Sequence, residues 1–312
     1  MRVFVAGATG VLGQPTVRLL REAGHDVTGV ARTPEKQYLL RSLDANPVSV
    51  DLFDAEAVHA AVAGHDAVVH AATKIPSIMR MRSAGRWQEN NRLRIEATKH
   101  LVDAAIATNA QVYVQESITF IYADGGDEWL DESAPVKIAW RAALDSTIEM
   151  EREAERFNAD ARRAVILRFG LFYAPYAQST LDSVRMMRRR MFGVIGRGDN
   201  YFSSIHVDDA AAAIVAALGA PAGTYNVVDD EPVRQTEYAA ACAEAFGLPK
   251  PMRVPRFVGK LMLGGPASYI LNSLRVSNKR FKEATGWAPQ YPSVREGMRQ
   301  AAEAMKAQET KS

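Results

Sequence analysis

Three glycines at a spacing of three, Gly7-Ala-Thr-Gly10-Val-Leu-Gly13, constrain this chain more than any other feature. They stand between a short apolar stretch, Arg2–Ala6, and a segment of helical spacing, Leu12–Ala23, in which Leu12, Val17, Leu19 and Leu20 recur. Strand, tight turn and helix in that order make a phosphate cradle. The first glycine permits the turn, the second lets the backbone approach a pyrophosphate, and the third lets helix pack on strand. The free N–H groups and positive dipole end of the helix then face the phosphates. In this setting the spacing predicts a dinucleotide-binding loop over Gly7, Thr9, Gly10, Val11, Leu12 and Gly13, with Gly24 capping the helix behind it.

Strand and helix signals then alternate. Strands are expected at His25–Ala31, Pro47–Val50, Asp66–His70, Gln111–Gln115 and Ala164–Arg168, and helices at Ala55–Ala63, Glu89–Thr108 and Trp140–Ala159. The strands are short, rich in valine and apolar on both faces, as in a parallel sheet covered on both sides. The order predicts an α/β fold with a doubly wound parallel sheet. Beyond Tyr173 the pattern turns irregular, and a strong strand returns at Thr224–Val228. The expected division is a dinucleotide-binding domain over 1–173 plus about 207–230, and a smaller region over 174–206 and 231–312. That region would sit over the carboxyl ends of the strands, where open α/β sheets bind ligands. The tail from Gln308 to Ser312 is expected to fray.

The second strand should end in an acid if the ribose 2′-hydroxyl of NAD is to be held there. It ends Val30-Ala31-Arg32-Thr33 instead. An arginine at that tip accommodates a 2′-phosphate, so NADP(H) is favoured over NAD(H), with a solvent-facing loop arginine as the other reading of Arg32.

Composition narrows the class. The 312 residues are 47% hydrophobic, which suits a globular core. The formal net charge of +2 offers no broad attraction to nucleic acid or to an anionic membrane, so neither is an expected partner. The apolar run Ala210–Ala220 is too short to span a bilayer. The glycines interrupt what would otherwise imitate a signal peptide, and the expected location is cytoplasmic. A single cysteine, Cys242, excludes an internal disulfide and is expected buried and inert. The six histidines lack ligand spacing, so no metal is expected.

Several further segments carry a family resemblance. Asp51-Leu52 follows the third strand, and Val69-His70-Ala71-Ala72 ends the fourth, with Thr73 after it. Tyr122 follows the fifth strand, and Arg168–Pro175, which includes Phe169 and Gly170, ends the sixth. Ile205–Ala210, Tyr225-Asn226-Val227 and Gly286-Trp287-Ala-Pro289 complete the set. With the N-terminal glycines, these resemble the extended short-chain dehydrogenase/reductases, the NAD-dependent epimerases and dehydratases among them, over nearly the whole chain. The resemblance implies a Rossmann domain with a small C-terminal substrate-binding region. It implies adenine contact at Asp51 and Leu52, and further cofactor contact at Ala71, Ala72, Thr73, Phe169 and Gly170. It also implies a homodimer through the helices at Glu89–Thr108 and Trp140–Ala159.

The family's catalytic residues do not carry over. It uses Tyr-x-x-x-Lys on the helix after the fifth strand, with a Ser or Thr at the end of that strand. Spacing of four puts tyrosine and lysine on one helix face, where the lysine lowers a phenol pKa otherwise near 10. Counting back from Glu151 puts Thr147 at the lysine site and Ala143 at the tyrosine site; counting from Tyr122 puts Ile118 at the hydroxyl site, between Ser117 and Thr119. A slip in register does not restore the pair. No tyrosine lies between Tyr122 and Tyr173, and no lysine between Lys137 and Lys250. The chain resembles the atypical members of the superfamily that keep the fold and lose these residues.

Substitute proton donors are therefore sought at Tyr122, Lys74 and Ser117, each with an ordinary reading beside it: a packed tyrosine, a loop lysine, a strand-end serine. Glu116 is a base beside the nicotinamide or a carboxylate facing a helix. Substrate contacts are expected at Tyr173, His206 and Arg188. The last belongs to the cluster Arg185, Arg188, Arg189, Arg190 and Arg197, which is either a pyrophosphate site or a solvated helix face. Met79, Met81, Met186, Met187, Met191, Met252 and Met262 fall in the less regular segments and suit an apolar or aromatic substrate, or plain core. The leading expectation is an NAD(P)-dependent oxidoreductase of a small carbonyl or hydroxyl compound with a non-standard proton donor. The alternatives are an NADP(H)-binding sensor without turnover and a non-redox isomerase or lyase.

Overall fold

A computed structural model describes residues 1–76, 80–137, 140–191 and 193–309; Met79 and the end of the tail lie outside them. The first half runs β1 (Arg2–Ala6), α1 (Gly13–Glu22), β2 (Asp26–Val30), α2 (Pro34–Ser42), β3 (Asn46–Val48), α3 (Ala55–Val62) and β4 (Ala67–His70). It continues through α4 (Gln88–Arg92), a π-helical segment Leu93–Ala97, α5 (Thr98–Ala107), β5 (Val112–Ile118), β6 (Trp129–Leu130), α6 (Arg141–Glu155) and β7 (Arg163–Phe169). Then come β8 (Leu171–Tyr173), α7 (Gln178–Arg188), β9 (Gly193–Ile195), β10 (Tyr201–Phe202), β11 (Ser204–His206), α8 (Val207–Ala217) and β12 (Gly223–Val227). The last elements are β13 (Val233–Arg234), α9 (Gln235–Ala245), β14 (Met252–Val254), α10 (Arg256–Leu263), α11 (Ala267–Ile270), β15 (Arg275–Val276), α12 (Lys279–Thr285) and α13 (Val294–Glu309).

Seven parallel strands form one sheet in the order β12-β7-β5-β4-β1-β2-β3. This is the doubly wound Rossmann arrangement, whose ligand crevice lies where the strand order reverses, beside β1 and β4. Alternation along the strands sends Val3, Val5, Val112 and Val114 into a core with α1 and α8, and Phe4, Ala6 and Tyr113 into a second core with α3, α5 and α6.

Three expectations need correction. The helix α2 has no counterpart in the periodicity, because Leu40 is its sole fully buried side chain; its signals are the Thr33 cap and the Pro34 start. The helix expected over Glu89–Thr108 is divided by the π-helical segment, which turns Arg94 and Ala97 inward. The helix expected from Trp140 to Ala159 is shorter, because Trp140 is extended and Ala159 pairs with Arg162 in an antiparallel bridge.

The second half builds a smaller core over Tyr173, Val184, Met187, Val194, Tyr238, Cys242 and Met298. Cys242 is buried there, and burial pushes its thiol up to about 12, so it stays an unreactive thiol at neutral pH. This region is tied to α8 through Asp209, whose carboxylate accepts the N–H groups of Gln290 (2.8 Å) and Tyr291 (3.0 Å). No helix among the described residues is long and apolar enough to cross a membrane.

Candidate active site

The glycine loop is built for close backbone approach. Gly7 has φ +89°, and a Cβ there would lie 2.5 Å from the Ala71 carbonyl carbon. A Cβ on Gly13 would lie 2.0 Å from the Gly7 oxygen. Gly10 donates its N–H to that same oxygen at 2.9 Å, closing the turn. The loop therefore presses against Ala71 and Ala72 with no room for side chains and presents the start of α1 at the crevice. These are the features a pyrophosphate needs, so the chain fits a dinucleotide at this place. Around it, Arg32 is exposed at the end of β2, next to the Thr33 cap. Asp51 is exposed and accepts the N–H of Phe53, while Leu52 is buried and its carbonyl meets His100 Nδ1 at 3.0 Å. Thr9 and Val11 are partly or well exposed in the loop, and Leu12 is buried behind it. Phe169 is buried, and Gly170 backs onto Ser203, whose carbonyl would lie 2.6 Å from a Cβ there.

Ala143 and Thr147, the positions to which the count from Glu151 assigns the family's tyrosine and lysine, lie on the buried stripe of α6. Ala143, Thr147, Met150, Glu151 and Ala154 recur there at helical spacing. Arg94, turned inward by the π-helical segment, occupies this space. Its Nη1 donates to the Ala143 carbonyl (3.1 Å) and to the Thr147 hydroxyl (2.7 Å). Such segments mark functional sites more often than ordinary helix does. Sequence reasoning missed this arginine, since a regular helical period does not place a charged residue of a π-helical turn on the inward face. Apolar residues cover the rest: Ile118 and Phe120 pack with Trp87, Ala143, Leu144, Trp140 and Ile270. Trp87 and Trp140 meet edge to face at 5.6 Å.

Of the candidate donors, Ser117 and Tyr122 share one buried network. The Ser117 hydroxyl donates to Glu151 Oε1 (2.5 Å), and Arg168 grips Glu151 from the other side. Arg168 Nη1 donates to the Tyr122 hydroxyl (2.9 Å), which donates onward to Asn226 Oδ1 (2.8 Å). Burial raises the Tyr122 phenol, with Arg168 opposing. Lys74 stands apart from this network: it is exposed and pairs with Glu89 at 2.5 Å. Glu116 is buried within β5, one residue beyond the His70–Gln115 pair and opposite Leu167 of β7. Burial pushes its carboxyl up to about 7, against the opposing charge of Arg94. His70, beneath the same edge, is driven down to about 4 by burial and is neutral.

Tyr173 and His206 are brought together in the smaller region, their rings edge to face at 5.3 Å. Tyr173 donates to the Ser293 carbonyl, and His206 caps α8 by accepting the Asp208 N–H at 3.2 Å. Both are fully buried, and burial lowers the His206 pKa. Arg188 takes no part in that contact; it is exposed in the last turn of α7.

Comparison with known proteins places this geometry. The model of the NAD dependent epimerase/dehydratase family matches residues 3–228. The chain belongs to that family. Among the family's relatives it is similar to the 3-diazoavenalumate denitrifying reductase of a Streptomyces species, 35% identical over 311 residues, covering 96% of this chain and 99% of the relative. It is also similar to the 2-alkyl-3-oxoalkanoate reductase of Shewanella oneidensis, 29% identical over 82% of this chain and 69% of the relative. Among solved structures, human epimerase family protein SDR39U1 with NADPH has the same fold, with TM-score 0.82 at 24% identity over 97% of this chain and 99% of that one. MoeE5 in complex with UDP-glucuronic acid and NAD shares it too, with TM-score 0.79 at 21% identity over 99% of this chain and 100% of that one. The fold is thus shared with solved structures that hold NADPH or NAD.

Proposed function

We propose that this family member is an NADP(H)-dependent reductase of a small carbonyl-type compound, with a proton source other than tyrosine. The observation that carries the reading is the pairing of an intact glycine cradle with an α6 face that holds Ala143 and Thr147 under Arg94. The reductase names of two relatives and the NADPH in one structural neighbour support it. In this reading Gly7, Thr9, Gly10, Val11, Leu12 and Gly13 hold the pyrophosphate, Arg32 the 2′-phosphate, and Asp51 and Leu52 the adenine. Ala71, Ala72, Thr73, Phe169 and Gly170 line the nicotinamide half.

When bound, the cofactor supplies a hydride. The residues of this chain then supply the proton and the walls. Glu116 delivers the proton to the substrate oxygen as hydride reaches its carbon; a carboxyl near neutrality is half protonated at working pH and suits general acid catalysis. Arg94 is a positioning residue that holds α6 against the site and stabilises the carboxylate left behind. Ser117 and Tyr122 fix the end of β5 through Glu151 and Arg168, and Lys74 marks the solvent rim. Trp87, Trp140 and Ile118 exclude water and favour an apolar or aromatic substrate. Two copies pairing across α5 and α6 complete the reading.

The test measures NADPH and NADH dissociation constants, then follows loss of reduced-nicotinamide absorbance with β-keto, enone and aryl carbonyl substrates. The expected result is tighter NADPH binding and turnover that Glu116→Gln reduces by about 100-fold. Tight NADPH binding with no turnover across the panel would overturn the reductase and leave a cofactor-binding sensor. Turnover with bound-cofactor absorbance unchanged would instead support an isomerase.

A further inference from the structure

We propose that α10, with β14 and the end of α7, forms a surface that docks this protein on an anionic lipid bilayer. The observation begins with α10, whose exposed positions include three large apolar side chains. Phe257 and Leu261, one turn apart, are each 75% exposed, and Met262 is 58% exposed. The opposite side of the helix is its packed side: Gly259 faces β9, and a Cβ there would lie 2.4 Å from Ile195 Cγ2. A helix that secures its small residue inward and presents Phe and Leu outward is built to meet an apolar phase.

Cations frame this face. Arg256 and Lys260 flank the Phe257–Leu261 row at the same spacing, and both are exposed. Parallel pairing of β14 with β9, Met252 against Gly193 and Val254 against Ile195, brings the end of α7 alongside. The exposed Arg188, Arg189, Arg190 and Met191 thus lead into β9, the strand paired with the one that carries the exposed Met252 and Arg253. Neither stretch has a compensating acid: no Asp or Glu occurs between Asp182 and Asp199, or between Glu244 and Glu283. At the borders Arg185 pairs with Asp182 and Arg197 with Asp199. Arg188, Arg189, Arg190, Arg253, Arg256 and Lys260 have no carboxylate at ion-pair distance among the described residues. The formal charge of +2 hides this because acids elsewhere balance it.

Charge complementarity selects the occupant. Exposed aromatic and aliphatic side chains ringed by unpaired arginine and lysine match the boundary of an anionic leaflet, where headgroups meet the cations and acyl chains take the apolar row. A polar acidic protein would leave Phe257 and Leu261 without a partner.

The experiment is flotation of the full-length chain with vesicles of phosphatidylcholine alone or with phosphatidylglycerol added. The expected result is binding to the anionic vesicles, release by high salt, and little binding to neutral ones. Arg253→Glu with Arg256→Glu and Lys260→Glu should weaken binding by roughly fivefold or more per charge. Phe257→Glu with Leu261→Glu should weaken it by at least about tenfold. Both variants should keep wild-type circular dichroism and NADPH affinity, which separates lost docking from lost folding. Absence of binding to anionic vesicles, or unchanged binding by the folded variants, would overturn the proposal. So would sedimentation showing a dimer that Phe257→Glu with Leu261→Glu converts to monomer, because a second copy would then cover the face.

Discussion

Arg168 holds both carboxylate oxygens of Glu151, Nε to Oε1 at 2.9 Å and Nη2 to Oε2 at 2.6 Å. Both side chains are buried, so the pair fixes α6 to β7 at one distance and one angle, and with it the end of β5 through Ser117. Removing one partner leaves the other charge without compensation. Glu151→Ala is expected to lower unfolding free energy by about 3–5 kcal/mol, read by urea denaturation. A change below about 1 kcal/mol would mean that the pair fixes nothing.

Gly13 has no space for a methyl group, since a Cβ would lie 2.0 Å from the Gly7 oxygen. Gly13→Ala must therefore deform the turn that faces the pyrophosphate. NADPH affinity should fall by at least about tenfold by fluorescence titration. Gly219→Ala, at the end of α8 with 3.7 Å of clearance, serves as the control and should bind normally.

Arg32 sets the choice of cofactor in the proposed reading. Arg32→Ala should weaken NADPH by about tenfold or more, the worth of a charge-assisted hydrogen bond, and leave NADH unchanged. Equal losses for the two cofactors would remove Arg32 from the 2′-phosphate site.

Glu116 gives a pH signature with a definite sign. Its folded carboxyl is pushed up to about 7 by burial, from an ordinary value of 4.5. Below the ordinary value both states are protonated and the group contributes nothing. Between the two values the unfolded chain ionises first, so this group lowers stability as pH rises, and the penalty is complete above about 7. Glu116→Gln should match the wild type near pH 4 and exceed its stability by about 3 kcal/mol near pH 8, by thermal unfolding. Reduction rates should fall above about pH 7 as the acid is lost.

Placing a Tyr-x-x-x-Lys pair at Ala143 and Thr147 tests the role of Arg94. Ala143→Tyr with Thr147→Lys would place an ammonium against the guanidinium that now donates to Thr147 at 2.7 Å. The double variant should be destabilised by several kcal/mol, and adding Arg94→Met should recover part of that loss. Full stability of the double variant would show that Arg94 moves aside freely.

The sheet and the cradle were legible because both depend on short-range signals: valine-rich strands, glycine spacing and a following amphipathic turn. That Ala143 and Thr147 share one buried face of α6 was legible because their spacing of four is a helical one. Arg94 was not, because a π-helical segment shifts which residues face inward, and a regular helical period drawn through Glu89–Thr108 does not include that shift. The partners of Tyr122 were hidden for a different reason: Arg168 and Asn226 reach it from β7 and β12, strands distant in sequence. The helix α2 escaped because one buried leucine makes no periodic stripe.

The outermost strand β12 pairs with β7 although β8, α7, β9, β10, β11 and α8 intervene in the chain. A ribosome therefore releases β7 well before its neighbour exists. Until residue 227 has emerged, β7 is an open parallel edge able to recruit another nascent chain. Gene fragments ending after Phe169 should consequently accumulate as insoluble protein, whereas in fragments that include β12 the edge of β7 is covered by its own chain.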